Sequence, residues 1–205
     1  MTEAPILTPH RTALLLMDLQ EGIFALLPDP SEVVQRAQQV HRAATDAGMH
    51  VVFVRTAFTE RDFKEISPNN KTFAPVAAGR LFAEGSPETE FSVAVRPGPK
   101  DKVFTKTRTG AFSTTGLEGF LRKHNIDTLV LAGIATSGVV LSTIRDAADS
   151  DYRLLVLSDV CADPDADLHR TLITTVFPAQ ADLVDARAFT DVLAAGAAEG
   201  AGSAG

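Results

Sequence analysis

Short, uninterrupted apolar runs alternate along this chain with segments in which apolar residues recur every three or four positions. The run RTALLLMD, Arg11 to Asp18, has no polar alternation and ends in an acid, the pattern of a central strand covered on both faces. From Ser31 to Gly48, residues Val33, Val34, Ala37, Val40, Ala44 and Ala47 share one helical face. Ser31 is placed to cap that helix and Gly48 to stop it. MHVVFVRT, Met49 to Thr56, is the second strand, and strand, helix and strand together predict a right-handed βαβ unit. After an irregular stretch the alternation resumes with KVFTK (Lys102 to Lys106) and a helix around Thr115 to Lys123. DTLVLAG (Asp127 to Gly133), a helix from Ser137 to Asp149, and YRLLVLSD (Tyr152 to Asp159) follow. A helix from Asp165 to Phe177 and the short strand ADLVDA (Ala181 to Ala186) complete the set.

Six strands alternating with helices predict an α/β fold: an open, mostly parallel, six-stranded doubly wound sheet with helices on both faces, in three layers. The irregular stretch, Ala57 to Lys100, is rich in turn chemistry (SPNNK, Gly85-Ser86-Pro87, RPGPKDK) and is long for a connection, which suits a lid or wall over a site. The Gly/Ala-rich end has nothing to bury. Residues 1–190 are therefore read as one domain and 191–205 as a disordered tail.

Composition narrows the function classes. The chain has 205 residues, 45% of them hydrophobic, enough for a full core. A net charge of −7 and the lack of any basic run argue against nucleic acid or an anionic membrane as partner, since both need clustered Lys and Arg. No apolar run approaches the roughly 20 residues of a membrane span, and MTEAPILTPHRT lacks a signal-peptide pattern, so a cytoplasmic protein is expected. The single cysteine, Cys161, rules out an internal disulfide framework and any CxxC zinc site.

In a sheet of this kind ligands bind outside the carboxyl ends of the strands. Asp18 ends the first strand, Arg55 the second and Lys106 the third; Ala135 to Val139 follow the fourth, and Asp159 to Cys161 the fifth. Asp18 could simply order a loop, Lys106 could be solvated, and Arg55 could pair with an acid of the long loop. Together, a partly buried carboxylate and an ammonium on neighbouring strands would perturb each other's pKa, as catalytic pairs in clefts do.

MDLQ at Met17 to Gln20, KTRTGAF at Lys106 to Phe112, GIAT at Gly133 to Thr136 and the DAADSDY helix end before the fifth strand resemble the isochorismatase-like hydrolases, the cysteine hydrolase superfamily. The resemblance covers about Arg11 to Ala186. It implies a six-stranded parallel sheet, assembly as a homodimer or homotetramer and, in the amidase branches, an Asp-Lys-Cys triad. Carried over by position, the aspartate is Asp18 and the lysine Lys106, while the cysteine position holds Val139. Valine cannot attack a carbonyl. The isochorismatases proper also lack that cysteine: there an aspartic acid protonates a vinyl carbon and water adds to the resulting oxocarbenium ion, which needs an Asp of raised pKa.

The resemblance also implies a cis peptide in the turn before position 139, assigned to Ala135-Thr136, and an oxyanion-binding nest of turn amides near Gly138 and Val139, with Ala135, Thr136 and Ser137 beside it. Gln20, Phe24, Arg55, Phe58 and Phe112 are candidates for the pocket wall, the phenylalanines being equally suited to the core. Ser137 and Thr136 flank the site, but an alkoxide needs a base and no histidine lies in a nearby strand-end motif, so capping is their expected role. Cys161 is read as a small buried residue. His169, His10, His41, His50 and His124 are read as surface or packing residues.

The metal-binding cluster of the nicotinamidase branch has no counterpart in RTAFTERDFKEI, which contains no histidine, and no glycine-rich loop suits a nucleotide, so no metal and no cofactor are expected. The leading expectation is an enzyme acting on a small carbonyl- or carboxyl-bearing metabolite, a hydrolase by resemblance, with lyase or isomerase chemistry also open. Asp18 moves protons; Lys106 holds substrate charge or sets the Asp18 pKa. The alternatives are a binder without catalysis and an amide hydrolase that uses Cys161.

Overall fold

The computed structural model describes residues 7–202. In chain order its elements are β1 (Thr12–Met17), α1 (Glu21–Phe24), α2 (Ser31–Asp46), β2 (His50–Thr56), α3 (Glu60–Glu65), α4 (Phe73–Gly79) and β3 (Lys102–Lys106). Then come α5 (Leu117–Lys123), β4 (Thr128–Ile134), α6 (Leu141–Asp149), β5 (Arg153–Ala162), α7 (Ala166–Thr171), β6 (Asp182–Val184) and α8 (Ala186–Gly202). The six strands form one sheet in the order β3-β2-β1-β4-β5-β6, every neighbouring pair parallel. The chain winds one way from β1 to β3 and the other way from β4 to β6. The carboxyl ends of β1 and β4 therefore meet at the switch point, where an open sheet of this kind leaves a crevice.

Every residue of β1 is buried, because alternate side chains enter two different cores. Leu15 and Met17 pack with Val54, Leu129, Val139, Val140 and Ile144 on one face. Leu14 and Leu16 pack on the other with Phe53, Val130 and the apolar stripe of α2, Val33, Ala37, Val40 and Ala44. Each such valine, leucine, isoleucine, methionine or phenylalanine side chain, removed from water, contributes on the order of 1.5–3 kcal/mol. The pattern of continuous apolar strands and striped helices reflects these two buried faces.

The stretch expected to be irregular is more ordered than its turn residues imply. It contains α3, α4 and a 3-10 turn at Pro87–Thr89, and Phe58, Phe63, Ile66 and Phe73 form a small core of their own. A capping box, in which Thr59 and Asp62 exchange side-chain and backbone hydrogen bonds, starts α3. The two helical turns are too short to show a full amphipathic period in the sequence.

Other boundaries also differ from expectation. Ser31 is the first residue of α2, not its cap; Asp29 accepts the Ser31 amide at 2.9 Å instead. Gly48 does end the helix, with φ of +72°. The helix expected from Asp165 to Phe177 is α7 continued by a wider π-type turn, Leu172–Val176, and a 3-10 turn, Phe177–Ala179. The expected tail starts inside α8, whose Phe189 and Leu193 are buried against the α2 side of the sheet, so apolar packing carries the helix past residue 191. Residues 203–205 of that tail lie outside the described residues.

Gly133 sets how closely β1 and β4 approach. It pairs with Met17 in the ladder, its φ is +155°, and a Cβ there would sit 2.4 Å from the Met17 carbonyl oxygen and 2.9 Å from the Met17 Cβ. Since Met17 precedes Asp18, any side chain at 133 displaces the backbone that carries the acid. Gly133→Ala is expected to destabilise the fold by roughly 1–3 kcal/mol, lowering the melting temperature by about 2–4 °C for each of them. An unchanged melting curve would show that the strands can part without cost.

Candidate active site

The acid and the lysine meet, but not on neighbouring strands. β2 lies between β1 and β3, and its last residue, Thr56, fills the gap. Thr56 is in register with Lys106, so their side chains leave the same face of the sheet, the face that buries Val54. Arg55 and Thr105, one residue earlier, face the opposite side, where the Arg55 Nε donates to the Thr105 Oγ1 at 3.1 Å. Period-two alternation therefore removes Arg55 from the site. Asp18 takes a left-handed backbone, φ 55°, a conformation Asp tolerates better than most residues; its amide donates to the Val54 carbonyl at 2.8 Å.

The three side chains form a closed triangle. The Lys106 Nζ lies 2.8 Å from the Asp18 Oδ2 and donates to the Thr56 Oγ1 at 2.7 Å; the Thr56 hydroxyl in turn donates to the Asp18 Oδ1 at 3.2 Å. A third lysine proton reaches the Arg108 carbonyl at 3.2 Å. An ammonium has three donors, and all three are committed. Asp18 and Lys106 are only 5% and 2% exposed. Burial pushes the Asp18 carboxyl above its ordinary value of 3.8, against the opposing pull of the Lys106 charge and of the hydrogen bonds from Lys106 and Thr56.

Gln20 braces this triangle. Fully buried, it donates to the carbonyls of Thr56 and Thr89 at 2.9 and 3.0 Å and accepts the Thr56 amide at 2.7 Å. Its amide is occupied by backbone, so it positions Thr56 and is not a pocket wall. Phe24 belongs to the core on the α2 side and Phe58 to the small core under α3 and α4. Phe112 is half-buried against the core that holds Val139.

The turn after β4 is the other half of the site. The cis peptide joins Ile134 to Ala135, one bond earlier than expected, at the last residue of the strand. A π-type turn, Thr136–Val140, leads into α6. Val139 is buried in the core. In the expected nest the Gly138 amide donates to the Ala135 carbonyl at 3.1 Å, as does that of the following residue Val140 at 3.3 Å, and the neighbouring Ser137 amide donates to the Asp163 Oδ2 at 2.8 Å. The amides of Ala135 and Thr136 donate to no side chain and, outside the sheet ladder, to no backbone carbonyl among the described residues.

A histidine does reach this turn. His169 of α7 lies with its Nδ1 2.8 Å from the Thr136 Oγ1, and burial holds its pKa below the ordinary 6.5 although Asp163 pulls the other way. Sequence separation hid this pair, since His169 is 33 residues from Thr136 and only the packing of α7 joins them. Thr136 is fully buried, so the pair ties the turn down and presents no nucleophile. Cys161 lies within β5, not after it, opposite Gly133. It is 3% exposed, and burial pushes its thiol up to about 12. A cavity of about 590 Å³ beside it is lined also by Arg36, Asp159 and His169, without Asp18 or Lys106. No group of three or more His, Cys, Asp or Glu among the described residues is placed to hold a metal.

The model of the isochorismatase domain matches residues 12–188, the span that builds both the sheet and this site. The chain belongs to the isochorismatase family. It is 33% identical over 177 residues to the uncharacterised family protein YecD of Escherichia coli O157:H7, covering 84% of this chain and 90% of YecD. To the ureidoacrylate amidohydrolase RutB of Acinetobacter baylyi it is 31% identical over 192 residues, 82% of this chain and 78% of RutB. Among solved structures, a family protein from Burkholderia thailandensis superposes with a TM-score of 0.78 at 29% identity, covering 93% and 99% of the two chains. A cysteine hydrolase from Pseudomonas syringae pv. phaseolicola shares the fold, with a TM-score of 0.85 at 23% identity over 95% and 99%.

The raised Asp18 pKa fixes the sign of a stability effect. The folded state holds this proton more tightly than the unfolded chain, so the Asp18 contribution is greatest below the unfolded value and is lost as pH rises through the folded one. Relative to Asp18→Asn, wild type should therefore lose stability as the pH climbs from about 4. Denaturant unfolding of both proteins over a pH series measures this, and a difference independent of pH would contradict it.

Proposed function

We propose that this member of the isochorismatase family is a hydrolase of a small carbonyl- or carboxyl-bearing metabolite, working by proton transfer through Asp18 without a thiol nucleophile. The observation that carries this reading is the buried Asp18–Thr56–Lys106 triangle, in which burial lifts the acid. A carboxyl of raised pKa holds its proton more firmly than a free one, to donate it in one step and take it back in the next.

In the forward step the Asp18 proton passes to the substrate, water adds to the electron-poor carbon, and the proton that water releases returns to the Asp18 carboxylate; the adduct then collapses to a carbonyl, its bond to the leaving oxygen or nitrogen breaking as the hydroxyl proton passes to that atom. Lys106 sets the Asp18 pKa; with its three N–H groups engaged, it does not also hold the substrate. The amides of Ala135 and Thr136 receive the substrate oxygen. Val139 gives this chemistry no covalent intermediate. An amidohydrolase among the relatives supports hydrolysis as the reaction class. Cys161 does not replace the missing thiol, because a thiol near 12 is protonated at neutral pH and its residue is almost wholly enclosed.

The test is a screen of the purified chain against enol ethers, including isochorismate, and small amides and esters. Asp18→Asn should lower kcat by about 100-fold or more, and Cys161→Ala should leave it unchanged. The rate should fall as pH rises through the raised Asp18 pKa, because the protonated acid starts the reaction. Loss of activity with Cys161→Ala would reverse the assignment, and full activity in Asp18→Asn would end it.

A further inference from the structure

A substrate anion at this site needs a cation, and the two obvious receptors are occupied. Lys106 has no donor left. The turn before α6 already holds the Asp163 carboxylate on the Ser137 amide, and a second anion there would meet like charge. Arg108 is different. Its carbonyl accepts a Lys106 proton at 3.2 Å, so its main chain touches the triangle and its side chain starts at the same edge of the sheet. Its Nη1 donates to the neighbouring Thr107 carbonyl at 2.6 Å, and its guanidinium carbon lies 6.0 Å from the centroid of the Phe73 ring, at the wall formed by α4.

No acid partners Arg108 among the described residues, although the residue is half-buried. Arg11, Arg36 and Arg122, by contrast, pair with Asp127, with Glu32 and Asp159, and with Glu118. Among the other described arginines without an acid partner, Arg42, Arg96 and Arg145 are exposed, and Arg55 lies on the opposite face of the sheet. A guanidinium partly withdrawn from water, carrying free N–H donors on a residue whose main chain touches the triangle, lacks its anion.

We infer that Arg108 anchors a carboxylate of the substrate, which narrows the proposed reading to small carboxylic acids. The inference rests on substrate binding beside Asp18. The fork of the guanidinium receives both carboxylate oxygens, and Phe73 holds its plane. The neutral, proton-accepting end of the substrate is left toward Asp18 and the Ala135 and Thr136 amides, and Asp163 keeps the anion from binding the other way round.

The test compares benzoate with benzamide, which share shape and differ in charge, by calorimetric and NMR titration of the full chain. Wild type should bind benzoate the more tightly. Arg108→Met should weaken benzoate by about 10- to 100-fold while leaving benzamide unchanged. Arg108→Lys keeps the charge without the fork and should fall between; it decides the matter if the methionine variant misfolds. Asp18→Asn should keep the benzoate preference. Binding of neither probe, equal binding of both by wild type, or an intact preference in Arg108→Met would overturn the anchor. If Asp18→Asn retains turnover while Arg108→Met loses the preference, the acid–base reading fails and the anchor stands.

Discussion

The structure depends on an ion pair that burial makes expensive. At the 2.8 Å separation of Asp18 and Lys106, Coulomb attraction in an effective dielectric of about 20 is on the order of 6 kcal/mol. Removing each ion from water costs several kcal/mol. The two quantities are comparable, so neither settles the protonation state by itself. Thr56 and Gln20 matter for this reason. Thr56 divides its hydroxyl between acid and ammonium, and Gln20 holds the Thr56 backbone in place. The hydrogen bonds from Lys106 and Thr56 favour the ionised acid, against the burial that raises its pKa.

Sheet geometry brings these groups together. The acid and the lysine come from strands that never touch, and the middle strand supplies the bridge. Parallel pairing brings three carboxyl ends to one edge, while register decides that Thr56 and Lys106 share a face and that Arg55 does not. At the switch point Gly133 closely approaches Met17, the residue before the left-handed Asp18. Opposite the turn at 135–140, Asp163, just after β5, and His169 of α7 hold it. Acid, turn and ion pair are thus parts of one packed edge.

The order of strands and helices was readable because continuous apolar runs and striped helices each have one stable solution. Asp18 and Lys106, each ending a strand, stood out as a candidate pair, and the fold brings their side chains together. The small core beneath α3 and α4 was not, since segments of six and seven residues show no full period. Thr56 was within reach, as the last residue of an apolar strand beside the lysine strand, but its role needs the register. Gln20 reads as a pocket residue in sequence and is a backbone brace in the fold. Asp163, His169 and Arg108 gain meaning only from contacts across the chain: the first two through the docking of α7, the third through the absence of an acid beside it.

The account stands on the protonation of one carboxyl. Titration of the chain labelled with ¹³C at the aspartate carboxyls, with Asp18→Asn to assign the resonance, follows that group directly by NMR. Asp18 should titrate above the ordinary 3.8, and higher still in Lys106→Met, where the ammonium no longer favours the ionised form. A resonance that titrates at or below 3.8 would mean that attraction outweighs burial, leaving an ionised structural pair with no proton to donate.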